Sequence, residues 1–257
     1  MSVKLASRAY GEGPPLVILH GLFGSGRNWH TIAGGLAATH RVYAVDLRNH
    51  GRSPWAEPMT YSEMVDDLRL FLDEHDLERA SILGHSLGGK TAMLFALLYG
   101  QMVESLVVVD IAPVRYDHTH LAHVDAMRGV RLDDCAGRRD VDRELARGVA
   151  DPMLRKFLMQ NLVSHEGGYA WRVNLETIGA SLEELSDFPD VEGLDYGGRT
   201  LFVSGEQSDY VQPGHAHEIR ELFPWAEFEV IADAGHRVHA EQPGLFLERV
   251  AGFLAGR

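Results

Sequence analysis

The sequence predicts an α/β fold on a mostly parallel sheet with helices on both faces, and three observations carry that expectation. Short apolar runs rich in β-branched residues alternate with longer segments of helical period. The runs LVILH (16–20) and ASILG (80–84) pass directly into the glycine-rich turns GLFGS and HSLGGKT, as strands feeding helices do. One interval of roughly 90 residues, from Asp110 to Thr200, far exceeds an ordinary crossover of about a dozen.

Strands are expected at VKLASRAY (3–10), LVILH (16–20), RVYAVDL (41–47), ASILG (80–84), SLVVVD (105–110), TLFVS (200–204) and AEFEVIA (226–232). Helices are expected at 28–38, 61–75, 86–99, 213–222 and 243–254. Thr60 is a plausible N-cap for the second, with Glu63 three residues on. The long interval reads as helices: VDRELARGV, PMLRKFLMQNLV and, after a polar turn HEGG, YAWRVNLETIGASLEEL. Residues 1–112 and 197–257 are expected to form the core domain. Residues 113–196 are expected to form a helical cap over the sheet's carboxyl edge, where open α/β sheets bind ligands.

Composition narrows the function. The chain has 257 residues, 45% hydrophobic and 24% charged, with 37 acidic against 24 basic side chains and a formal charge of −13. That balance opposes nucleic-acid binding, which depends on neutralising phosphates. No run approaches the ~20 apolar residues of a membrane span, and MSVKLASRAY lacks the apolar core of a secretory signal. Cys135 is the only cysteine, which excludes an internal disulfide and a cysteine zinc cluster. A cytoplasmic protein, monomer or homodimer, is expected. The histidine pairs His118/His120, His215/His217 and His236/His239 lack an H-E-x-x-H spacing, so no metal is assigned.

The stretch GHSLGGKT (84–91) fits two motifs. As G-x-x-x-x-G-K-[ST] it is a phosphate-binding loop, with Lys90 and Thr91 in the contacting places and Asp110 as a magnesium ligand. As G-x-S-x-G it is a nucleophile elbow with Ser86 at the tip. The phosphate reading is disfavoured because strands precede Gly84 and because it leaves the other motifs unused. The elbow reading uses them. A tight turn needs small neighbours, and Gly84, Gly88 and Gly89 supply them. The helix after Ser86 aims the Leu87 N–H at a developing oxyanion. A second N–H is expected from HGLFGS, at Leu22 with Phe23 as the alternative. AGHRVHAEQP supplies a late general base, His236, in the chain order Ser, acid, His.

The motifs HGLFGSGRNW (20–29), DLRNHGRS (46–53), GHSLGGK (84–90), DIAPV (110–114), WRVNL (171–175) and AGHRVHAEQP (234–243) together resemble the α/β hydrolases. More narrowly they are similar to the small esterases of the bacterial YbfF and mitochondrial ABHD11 group, over nearly the whole chain. The resemblance implies a cofactor-free Ser–Asp–His esterase with a helical cap, acting on short- to medium-chain acyl esters or thioesters. Serine at the tip argues against the dehalogenases and epoxide hydrolases of this fold, which use aspartate. Perhydrolase or carbon–carbon bond hydrolase chemistry, and a receptor-like binding role, are the alternatives.

Two residues compete for the triad acid. Many α/β hydrolases carry it three residues past a strand-ending glycine; Gly205 plus three is Ser208, and Asp209 lies one place late. Asp110, at the end of SLVVVD, is preferred on the DIAPV resemblance. His20 is expected to support the oxyanion loop, His85 to pack, and His239 to lie near the site or away from it. Asp46, Arg48, Asn49 and Arg52 are expected to brace a loop, and Asp233 to cap one. Phe157, Leu158, Leu162 and Trp171 would either line an acyl pocket or form the cap's own core.

Overall fold

The computed structural model describes residues 1–117 and 120–256. The chain opens with β1 (Ser7–Tyr10) and β2 (Pro15–Leu19), then a 3₁₀ turn at Gly26–Trp29 and α1 (His30–Leu36). Next come β3 (Arg41–Val45), α2 (Tyr61–Glu74), β4 (Ala80–His85), α3 (Leu87–Leu98) and β5 (Val103–Val109). The Thr60 hydroxyl accepts the Glu63 N–H at 3.2 Å, the expected cap of α2. After the long interval follow β8 (Thr200–Gly205), α8 (Ala216–Leu222), β9 (Ala226–Ile231), α9 (Val238–Glu241) and α10 (Pro243–Leu254).

Among the described residues one seven-stranded sheet runs β1-β3-β2-β4-β5-β8-β9, and only the β1–β3 pairing is antiparallel. Strand alternation splits the core between its two faces. Val17, Leu19, Ile82, Leu106 and Val108 join α2 and α3 residues such as Met64, Phe71 and Phe95. Leu16, Ile18, Leu83, Val107 and Val109 join Ile32 and Leu36 of α1 and Phe246 and Val250 of α10. The chain reverses its direction of winding between β2 and β4, so the loops after those strands meet at a topological switch point.

The interval between β5 and β8 holds α4 (Leu121–Gly129), α5 (Arg138–Leu145), α6 (Pro152–Leu158) and α7 (Leu175–Ser186). It is not wholly helical. Leu162–His165 (β6) and Gly168–Trp171 (β7) pair as an antiparallel hairpin, where helix was expected on both sides of HEGG. Gly168 turns the chain at φ +133°, and Asn174 starts α7 by accepting the Thr177 N–H, so the helix cannot reach back to Tyr169. No helix among the described residues is long and apolar enough to cross a membrane.

Candidate active site

Ser86 sits between β4 and α3 at φ 52°, ψ −116°, a backbone conformation that costs a non-glycine residue about 1–3 kcal/mol. Its N–H is tied to the Val109 carbonyl at 3.0 Å, and its own carbonyl accepts the Lys90 N–H at 3.0 Å. The turn is as tight as the glycine pattern predicts. A Cβ on Gly84 would lie 2.1 Å from the Gly88 carbonyl oxygen, and one on Gly88 would lie 2.5 Å from that of Leu19. Leu87 is the first residue of α3, so its N–H has no acceptor within the helix.

His236 arrives on the loop after β9, and its Nδ1 is 2.7 Å from Asp110 Oδ2. Asp110 is wholly buried at the end of β5, with φ 51°. Its carboxylate also accepts the Gly205 N–H at 3.1 Å and the Ser208 hydroxyl. Burial pushes this carboxyl up to about 6, against the opposing pull of those two donors. The position three past Gly205, where an acid was sought, is thus a serine that donates to Asp110. Asp209 is exposed, and its carboxylate meets the Gln212 side-chain amide at 3.5 Å. The imidazole is therefore joined to Asp110, which fixes Nδ1–H and leaves Nε2 as the basic nitrogen.

Other groups hold His236 in place. The Tyr210 ring stacks on it, centroids 3.9 Å apart at 19°. His85 donates from Nε2 to the His236 carbonyl at 2.9 Å, and burial lowers His85 to about 3, keeping it neutral. His85 thus packs, as expected, but beside His236: the two ring centroids are 4.7 Å apart. His239 lies near the site too, buried and stacked on Trp29 at 3.9 Å.

The loop after β2 runs against the elbow: a Cβ on Gly21 would sit 3.3 Å from Ser86 Cβ. Two neutral histidines brace this loop against the one after β3. His20 donates from Nδ1 to the Gly21 carbonyl and accepts the Leu47 N–H at 3.0 Å. His50 donates to the Arg48 carbonyl and accepts the Phe23 N–H at 3.1 Å. Burial lowers them to about 4 and about 3. The Phe23 N–H is thus engaged, which leaves Leu22 as the better donor of the pair. His50 was missed in the sequence, though it lies in DLRNHGRS just as His20 lies in HGLFGS.

The rest of DLRNHGRS braces as expected, with one exception. Arg48 and Asp67 form a fully buried bidentate pair at 2.6 and 2.8 Å. Asp46 accepts the N–H groups of Gly26 and Arg52, while Asn49 bonds Ala56 through both ends of its amide. The Arg52 side chain is exposed, so that residue contributes its backbone. Asp233 is a turn residue at φ 55°.

The phosphate reading fails on geometry. Lys90 donates to the carbonyls of Val114, Ser186 and Asp187, and Thr91 to that of Leu87, so both are engaged internally. Burial brings the Lys90 ammonium down to about 7, with Asp187 opposing.

Two cavities meet at Ser86. One, of about 50 Å³, is bounded by Leu22, Leu87, Ile111, Tyr116 and Leu182. The other, of about 960 Å³, reaches His236 and is walled by Phe157 and Leu162 from the interval after β5. Leu158, by contrast, is fully buried, and Trp171 turns its indole N–H to the Met127 carbonyl at 2.9 Å. His118 of the His118/His120 pair lies outside the described residues.

A family model for the alpha/beta hydrolase fold matches residues 14–243. The chain belongs to the α/β-hydrolase family. This hydrolase is 41% identical to the mouse sn-1-specific diacylglycerol lipase ABHD11 over 94% of its own length and 81% of the relative's. It is 33% identical to the Escherichia coli esterase YbfF, over 93% and 92% of the two chains. A marine microorganism esterase of known structure superposes with a TM-score of 0.94 at 38% identity, covering 98% and 100% of the chains. The enzyme is a serine ester hydrolase.

Proposed function

We propose that Ser86, Asp110 and His236 are the triad of this hydrolase and that it cleaves short- to medium-chain acyl esters, acyl thioesters included. The bond from His236 Nδ1 to the buried Asp110 carboxylate, opening on the same cavity as the strained Ser86, carries this reading. His236 takes the Ser86 proton as Oγ attacks the acyl carbonyl, and Asp110 stabilises the imidazolium. The N–H groups of Leu22 and Leu87 receive the oxyanion. Protonated His236 then gives its proton to the leaving group; water deprotonated by the same nitrogen attacks the acyl carbon, and the acid departs as His236 returns the proton to Ser86 Oγ. In this reading residues 113–196 act as a cap, with Phe157 and Leu162 against the acyl chain. The single thiol of Cys135 fits a reducing, cytoplasmic setting.

The test is hydrolysis of p-nitrophenyl acetate, butyrate, octanoate and palmitate by wild type and Ser86→Ala side by side. Acyl thioesters and diacylglycerol complete the panel, the latter because the mouse relative is named for it. Wild-type turnover should fall by roughly a thousandfold or more in the variant. A wild type inert on every ester and thioester would overturn the reading.

A further inference from the structure

Lys90 is buried to 2% exposure one turn beyond Ser86, and the ester chemistry above has no use for it. Its Nζ donates to three carbonyls: Val114 at 2.8 Å, Ser186 at 3.0 Å and Asp187 at 2.7 Å. Val114 lies just after β5 leaves the sheet, while Ser186 and Asp187 lie at the end of α7. One ammonium therefore ties both ends of a long excursion to the helix that carries the nucleophile. An ammonium has three N–H groups, and this arrangement gives each an acceptor.

The contact extends toward the base. The Tyr116 ring centroid is 4.9 Å from Nζ, a cation over an aromatic face. The Tyr116 hydroxyl accepts the Ala112 N–H at 2.9 Å and donates to the Tyr210 carbonyl at 2.6 Å. Tyr210 lays its ring on His236. We propose that Lys90, Tyr116 and Tyr210 form a positioning relay that holds the His236 ring against Asp110 and couples its placement to the seating of residues 113–196.

The physical need is plain. The Nδ1–H bond by itself lets the ring tilt about it, which would swing Nε2 away from Ser86. A stacked face opposes the tilt, and the stacked face must itself be anchored. Tyr210 follows the β8 strand on a half-exposed loop, and Tyr116 is the anchor that reaches it. A methionine could fill the Lys90 site without burying a charge; an ammonium is suited to gathering three carbonyls into one fixed geometry.

The inference rests on His236 as the base, so its test needs a readout apart from turnover. The variants are Tyr116→Phe, which keeps the ring over the ammonium, Tyr210→Leu and Tyr210→Phe. Lys90→Met and Lys90→Arg follow. On p-nitrophenyl butyrate, Tyr116→Phe should lower kcat roughly ten- to hundredfold with KM within about twofold. Tyr210→Leu should lose at least as much and Tyr210→Phe less, because it keeps the stacked ring. Lys90→Arg should recover part of what Lys90→Met loses. The downfield proton resonance of the His236–Asp110 bond should broaden or shift in Tyr116→Phe while the protein stays folded, its melting temperature lowered by no more than the several degrees that losing two hydrogen bonds implies.

Wild-type kcat and an unchanged resonance in both Tyr116→Phe and Tyr210→Leu would overturn the relay. So would a loss confined to KM, which would make these residues substrate contacts. If wild type shows no Ser86-dependent hydrolysis, the proposed function fails instead, and the resonance, which needs no turnover, still decides the relay.

Discussion

The loops at the carboxyl edge of the sheet and the residues between β5 and β8 border the same cavity, but they are fixed in place by different means. The edge loops are stitched by buried and half-buried polar bonds, most of them to backbone: His20 and His50 to Gly21, Leu47, Arg48 and Phe23, the Gly205 N–H and the Ser208 hydroxyl to the Asp110 carboxylate, His85 to the His236 carbonyl. The intervening residues are held chiefly by apolar packing, with Val124, Met127, Leu158, Ile178 and Leu182 in the same buried cluster as Met64 and Phe95, and by a few polar bonds such as Asn161 to the Phe23 carbonyl, Asn174 to Asn49 and Tyr61 to the Leu185 carbonyl, besides Lys90. They turn apolar side chains such as Phe157 toward the cavity. The difference divides labour. Dipoles that must meet a developing charge are fixed before reaction, where each costs no reorganisation. The apolar wall has no such constraint, because dispersion and burial are non-directional.

That contrast can be broken by substitution, and the largest effect should come from the edge. Asp110→Asn should lower kcat by orders of magnitude, on the scale of ~10⁴ for a triad acid, while Asp209→Asn stays near wild type. The reverse outcome, read by steady-state kinetics, would return the acid to the loop after β8.

A middling effect should come from Ser208→Ala and should appear in the pH profile. In the proposed triad Asp110 must be ionised to stabilise the imidazolium, and burial has raised its carboxyl to about 6. Activity should therefore fall as pH drops through that region. The Ser208 hydroxyl favours the ionised form, so its removal raises the carboxyl further. The acid limb of kcat/KM should move to higher pH, and a limb that stays in place would mean the bond tunes nothing.

The smallest effect should come from the apolar wall. Phe157→Ala should leave p-nitrophenyl acetate turnover within about twofold and weaken octanoate relative to acetate, since apolar contact scales with area. An equal loss on every chain length would show that Phe157 braces the site rather than measuring the substrate.

Much of this was legible in the linear chain, for local reasons. β-branched runs such as LVILH and SLVVVD can pay their burial only in a two-faced sheet, and they are strands. Gly84 and Gly88 flank Ser86 because no side chain fits there. The hairpin at Leu162–Trp171 was hidden because four-residue strands carry too few positions to separate a period of 2 from one of 3.6.

What lay beyond the sequence is of another kind. Asp110 and Ser208 are 98 positions apart and share a hydrogen bond because β5 and β8 are adjacent in the sheet, so both their loops reach His236. No spacing rule could rank Asp110 over Asp209 without that adjacency. Lys90 shows the same limit: its local motif was compatible with phosphate, and only the approach of Val114, Ser186 and Asp187 from distant parts of the chain made it an internal donor. Local chemistry determined the strands of the main sheet, the elbow and the late histidine. Partner choice was decided by the tertiary fold, because a charge or hydrogen bond acts over a few ångströms of space whatever the distance along the chain.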